Sequence, residues 1–209
     1  GGQWNSQSEH EYAVKQNFLL LEEEESSHTE NDLASRIFAM IECLFGSELL
    51  EHNLSFIANA LDSDSVNARQ TIRTYLWRDF YKEHVRFYQK HPIYWQLNSG
   101  VDSGYKALIY IHRMNQEDLN GFLNQLNVYV EQLEQQMTAQ EAFDKKQRNR
   151  QIAKRDELCR YRRAYQASIE QLSRISMDDG VKQNYEKFQN ISIEERNGKT
   201  YTVSLFTNI

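Results

Sequence analysis

Residues His91 to Met114, HPIYWQLNSGVDSGYKALIYIHRM, constrain the fold more than any other stretch. Two apolar, β-prone runs, Pro92 to Leu97 and Ala107 to Ile111, flank the turn-rich segment Asn98 to Gly104. That segment holds two Gly and two Ser, so the pattern predicts two strands joined by a loop. Neither run alternates strictly between polar and apolar residues. Ile93, Tyr94, Trp95, Leu97, Leu108, Ile109, Tyr110 and Ile111 therefore imply strands covered on both faces, with helices as the cover. The remainder reads as helical, because one Pro and eight Gly in 209 residues leave few points at which helices must stop. The expected class is mostly α with minor β: a helical body around a short two-stranded element, a long antiparallel helical hairpin arm and a C-terminal β-hairpin.

Residues 1–32 are polar and acidic and read as a short helix followed by a linker, with Trp4, Tyr12 and Phe18 to Leu21 as anchors. Residues 33–114 form the expected body. Asn31 or Asp32 caps a helix whose stripe is Leu33, Ile37, Met40, Ile41, Leu44 and Phe45, and Gly46 stops it. Ser47 caps the next helix, which carries Leu50, Leu54, Ile57, Ala58 and Leu61. After the polar turn Asp62 to Ser65 one longer helix is expected, from Val66 to Gln89, ended by Pro92.

Residues 115–176 form the expected arm. Leu119, Leu123, Leu126, Val130, Leu133 and Met137 recur at alternating spacings of four and three, a coiled-coil seam. The same register would continue on Gln140, Asp144, Gln147, Gln151 and Lys154, all polar, so the helix is expected to fold back there. A second helix over residues 147–175, with Leu158, Tyr165, Ile169 and Leu172 as its stripe, completes the antiparallel hairpin. Residues 177–209 form a return segment and a β-hairpin in which Asn197-Gly198 supplies a type I′ turn.

Charge is unevenly laid out. Residues 1–64 hold 13 Asp/Glu against 2 Lys/Arg, a balance of -11 within a total of -6, so the rest carries +5. Cys43 and Cys159 are far apart and no metal-ligand spacing occurs, so two reduced, buried thiols in a cytosolic protein are expected, with no disulfide and no zinc site. No apolar run nears the roughly 20 residues that cross a bilayer, so no membrane contact is expected. The start, Gly1-Gly2-Gln3-Trp4, looks like a cut inside a longer protein or a tag remnant.

No nucleotide-binding glycine loop, hydrolase elbow or zinc-protease motif is present. The sole Pro rules out the Asp/Asn-Pro-Pro-Tyr element with which amino-methyltransferases grip a flipped base. No catalytic residue, bound cofactor or metal is expected. The six His have no partners at meaningful spacing and read as structural. The marked chemical feature is basic. Lys145, Lys146, Arg148, Arg150, Lys154 and Arg155, continued by Arg160, Arg162 and Arg163, place 9 of 24 Lys/Arg in 19 residues, at the expected hairpin tip. Such a tip suits phosphate contact, and equally suits a plain solvated surface. Lys90, Lys106 and Arg113 form a smaller group around the strands, beside Lys82, Arg86 and His91.

Composition and periodicity thus give a fold class and no function. The runs LEHNLSFIANAL at 50–61, TIRTYLWRDFYKEHVRFYQKHPIYWQLNSG at 71–100, YKALIYIHRM at 105–114 and MDDGVKQNYEKFQ at 177–189 go further. In this order, they resemble the C-terminal region of the PglX family, the adenine-specific DNA methyltransferases of BREX phage-defence systems. The resemblance implies a parent that transfers a methyl group from S-adenosylmethionine to adenine N6 in DNA, with its catalytic motifs outside this region. For this region it implies double-stranded DNA as partner, other defence-system subunits as the alternative, and a cytoplasmic location.

Overall fold

The structure is a computed structural model that describes residues 17–23, 31–139, 144–176, 180–195 and 197–209. It is mostly helical with a minor β component, and it divides into two compact units, residues 1–89 and 90–209.

The first unit contains strand β1 (Phe18–Leu21) and helices α1 (Leu33–Phe45), α2 (Ser47–Leu61), α3 (Ala68–Arg78) and α4 (Phe80–Phe87). Phe18 to Leu21 is thus a strand, not part of the expected helix. Its unbroken apolar run, with Phe18, Leu20 and Leu21 buried, suits an enclosed strand. The anchors Trp4 and Tyr12 lie outside the described residues. Asp32 caps α1 as expected, its Oδ2 accepting from the Ser35 amide at 2.8 Å. Gly46, at φ 88°, closes α1 by donating to the Glu42 carbonyl at 2.8 Å. Because α2 follows at once, Gly46 occupies its cap position and Ser47 is its first helical residue, with no side-chain capping bond. Ala34, Phe38, Ile41, Leu50, Leu54, Ala58, Ile72 and Leu76 form the core of this three-helix packing.

The single helix expected over residues 66–89 is two helices, broken at Asp79 (φ -115°, ψ -32°). The buried positions explain the break. Ile72 and Leu76 share one face, whereas Tyr81, nine residues after Ile72, falls half a turn away at 100° per residue. A kink lets both sets be buried, and Asp, a weak helix former, sits where it occurs.

In the second unit, β2 (Tyr94–Asn98) and β3 (Lys106–Tyr110) pair antiparallel, Tyr94 opposite Tyr110 and Asn98 opposite Lys106. Their three central residues are buried, as a strand pair covered on both faces requires. Beyond the 3-10 turn Ile111–Arg113 come α5 (Gln116–Ala139), α6 (Lys145–Leu172), the short α7 (Val181–Glu186) and the hairpin strands β4 (Ile191–Glu194) and β5 (Thr200–Val203).

Helices α5 and α6 pack antiparallel. The Tyr165 hydroxyl donates to the Leu119 carbonyl at 3.1 Å near one end, and Lys154 Nζ lies 5.4 Å from the Tyr129 ring toward the other. The corner expected near Gln140 falls on residues 140–143, which lie outside the described residues. The polar run nevertheless does start a new helix, because Asp144 and Gln147 form a reciprocal capping box. The seam differs from the expected one. Phe122, not Leu123, is buried with Leu119, Leu126, Val130 and Leu133. On α6, Tyr161, Ala164 and Ser168 are buried, and Ile169 is only half-buried.

The β4–β5 hairpin forms, with Ile191 opposite Val203. Its turn is one residue longer than a type I′ turn at Asn197-Gly198. Glu195 pairs with Lys199 (N to O, 2.8 Å), the Gly198 amide donates to the Glu195 carbonyl at 2.9 Å, and Gly198 has φ 80°. After β5 the chain lies along the free edge of β2. Asn98 N donates to Leu205 O at 3.0 Å and Thr207 N to Gln96 O at 2.8 Å. Leu205 and Phe206 are buried there, with Phe206 edge-on to Trp95 at 5.0 Å.

Candidate nucleic-acid interface

The basic run occupies the first half of α6. Lys145, Lys146, Arg148 and Arg150 are exposed, and among the described residues none of them forms an ion pair. The helix carries no acidic residue in its first turn, so its N-terminal half concentrates positive charge where the helix dipole also ends positive. The later cations are engaged within the chain. Lys154 lies over Tyr129, and Arg155 Nη2 meets Asp156 at 2.6 Å, a bond that raises the guanidinium pKa further. Arg160 stacks on the Tyr201 ring at 4.2 Å and reaches Glu195 at 3.4 Å. Arg163 reaches the same carboxylate at 3.9 Å, and Arg162 approaches Asn127 Oδ1 at 3.5 Å.

The second basic group is not one patch within its unit. Lys106 begins β3, opposite Asn98, while Arg113 lies beyond the other end of that strand, 5.9 Å over the Tyr110 ring. The strand separates them by roughly 14 Å at 3.4 Å per residue. Lys90, exposed with φ 65°, precedes β2 at the Tyr94 end. Trp95 is fully buried and so presents no face for a base, while the half-buried Tyr94 ring packs at a tilt against Tyr110 at 5.4 Å. Lys82, in the first unit, pairs with Asp79 at 3.8 Å.

A feature without a sequence signal stands beside the basic helix. Glu157 Oε2 accepts the amides of Asp102 and Ser103 at 2.7 and 3.0 Å, tying α6 to the β2–β3 loop. Gly100, at φ 124°, makes room: a Cβ there would lie 1.4 Å from Glu157 Oε1. The loop is further fixed by Ser99 Oγ against Ser103 Oγ at 2.6 Å and by Asn98 Oδ1 on the Gly100 amide at 3.1 Å. An adjoining groove of about 510 Å³ is lined by Asn98, Asp102, Glu157, Arg160, Tyr201 and Thr207, among others.

Burial raises the Cys159 thiol pKa, opposing the thiolate, and raises that of the Tyr161 phenol, whose hydroxyl donates to the Leu205 carbonyl at 2.9 Å. Among the described residues no cluster of His, Cys, Asp and Glu could hold a metal ion, and no helix is long and apolar enough to cross a membrane.

No family model matches the chain. It is 34% identical, over an alignment of 206 residues that covers 90% of the chain, to adenine-specific methyltransferase PglX of Lacticaseibacillus casei (strain Zhang). This is a PglX-like region. It is also 32% identical, over an alignment of 177 residues that covers 76% of the chain, to adenine-specific methyltransferase BrxX of Escherichia coli O9:H4 (strain HS). The PglX-like region spans 17% and 15% of the length of these two relatives. Among the described residues no glycine loop opens a helix beside a strand end to cradle S-adenosylmethionine, and Glu157, one of the two acids at the groove, is already taken up by two backbone amides.

Proposed function

We propose that this PglX-like region is a non-catalytic module of an S-adenosylmethionine-dependent DNA adenine-N6 methyltransferase of a phage-defence system, acting on DNA in the cytoplasm. It engages duplex DNA, or supports target recognition, through the cations at the start of α6. The observation that carries this reading is the contrast along α6. Lys145, Lys146, Arg148 and Arg150 are exposed without ion-pair partners among the described residues, whereas Arg155, Arg160 and Arg163 spend their charge within the chain. Unpaired cations release counterions from phosphates, which gives affinity that falls steeply with salt. Anisotropy of a labelled duplex titrated with the region at 50 and 200 mM salt tests it. Salt-dependent binding is expected, and its absence rejects the DNA role.

A second reading, docking of other defence-system subunits, is favoured by exposed apolar side chains on α1 and α2, namely Met40, Leu44, Leu49 and Phe56. Two sets of substitutions separate the readings. Loss of DNA binding with assembly intact on charge reversal at Lys145, Lys146, Arg148 and Arg150 supports the first, and loss of assembly with DNA binding intact in Met40→Ser with Phe56→Ser supports the second.

A further inference from the structure

The basic half of α6 carries charge all round, so the region's charge alone does not say which side would lie on DNA. Two contacts define a side. Glu157 reaches the β2–β3 loop through the Asp102 and Ser103 amides, and Lys154 lies over Tyr129 of α5, whose ring packs at a tilt against Tyr105 at the end of that loop at 4.8 Å. The flank of α6 that carries Glu157, beside the seam on which Lys154 meets α5, therefore faces the loop.

At 100° per residue, Arg150 lies four residues before Lys154 and seven before Glu157, on that same side, and Lys146 is one further turn along. Lys145 and Arg148 fall on the opposite side of the helix. Arg150 precedes Glu157 by about 10 Å at 1.5 Å per residue, comparable with the width of a major groove.

The loop at the far end of this row is built as a rigid projection. Its amides are held by Glu157, its two serines bond each other, and Gly100 and Gly104 take positive φ angles. At its tip Val101 is essentially fully exposed, and Asp102 beside it is exposed too. Because these bonds fix the loop's shape, a partner that reaches Val101 meets a preformed element that costs little to order.

We propose that the duplex lies along the side of α6 bearing Lys146 and Arg150, with the β2–β3 loop as a second contact element that brings Val101 to the groove. This rests on the DNA-binding reading and sharpens it to one face. Lys146 and Arg150 meet successive phosphates, and Lys145 and Arg148 point away. Asp102 is the cost of this arrangement, a carboxylate close to the phosphate backbone, and it supplies a proximity test.

The test compares two variants of equal charge change in the whole chain, Lys146→Gln with Arg150→Gln and Lys145→Gln with Arg148→Gln, by anisotropy on a 20-base-pair duplex from 50 to 200 mM salt. The first pair is expected to weaken binding about 10-fold and to lower the salt slope by nearly two, the second to weaken it less than about 3-fold. Asp102→Asn, which leaves the backbone amides free to hold Glu157, is expected to tighten binding about 3-fold, and Val101→Ser to weaken it. Equal losses from the two pairs, or no gain from Asp102→Asn, overturn the face assignment while leaving DNA binding standing. A wild-type chain with no salt-dependent binding overturns the underlying reading itself.

Discussion

Arg73 Nη1 and Asp32 Oδ2 meet at 2.7 Å with both side chains almost sealed from water. The same carboxylate oxygen accepts the amide and hydroxyl of Ser35, and Arg73 Nη2 donates to that hydroxyl at 2.9 Å. One acid thus caps α1 and holds α3 against it. Removing either partner leaves a buried charge without compensation, which costs about 3–5 kcal/mol. Urea unfolding of Arg73→Ala is expected to show a loss of that size, and the double variant Arg73→Met, Asp32→Asn less than the sum of its singles. A loss under about 1 kcal/mol for Arg73→Ala would show that the pair is relaxed by water, contrary to its burial.

Gly100 and Glu157 are matched in the same way within the second unit. An alanine at position 100 would have to hold φ 124° and would drive its Cβ into the Glu157 carboxylate, breaking two charge-assisted bonds. Gly100→Ala is expected to destabilise the chain by about 2–4 kcal/mol, and Glu157→Gln by less, since an amide oxygen still accepts. Hydrogen exchange of the Asp102 and Ser103 amides checks the cause. Both should lose protection in Gly100→Ala, and unchanged protection would rule the clamp out.

These two pairs mark the limit of what the sequence makes legible. Local signals are readable: the Asp32 cap, the Gly46 stop, the two strands around Asn98 to Gly104, and the polar interruption that starts α6. Features decided by distant packing are not. Phe122 replaces Leu123 in the seam because Tyr165, on the facing helix, packs edge-on against Phe122 at 4.8 Å. Asp79 breaks a helix because core positions on its two sides fall out of phase. The basic run is visible as composition, but which cations remain unpaired depends on Tyr129, Glu195 and Tyr201, brought in from other elements. Glu157 has no signal at all, since an acid in a basic helix reads as ordinary surface.

The two cysteines should separate by reactivity. Cys43 is exposed on α1, whereas Cys159 is half-buried on α6 and burial raises its pKa, the opposing influence of Arg162 being smaller. Because the thiolate is the nucleophile, alkylation with iodoacetamide at pH 7.5 followed by peptide mass spectrometry is expected to label Cys43 at least about 10-fold faster. Comparable rates would mean that Cys159 is more open to solvent than its packing allows.

His84 supplies a pH dependence whose sign is fixed by its surroundings. The ring is buried beside Phe80, Tyr81 and Tyr88, with centroids 5.8, 6.3 and 4.8 Å away, and this burial lowers its pKa from the ordinary value of 6.5. A base with a lowered folded pKa stays neutral in the fold while the unfolded chain takes up a proton. Stability from this group is therefore complete above pH 6.5 and declines as pH falls through that value, until the folded pKa is passed. Urea midpoints at pH 7.5 and 5.5 are expected to show the wild type losing more stability than His84→Phe, which keeps an aromatic ring in the stack and removes the proton site. If the two proteins lose stability equally over that interval, the dependence arises from other groups and His84 is not its source.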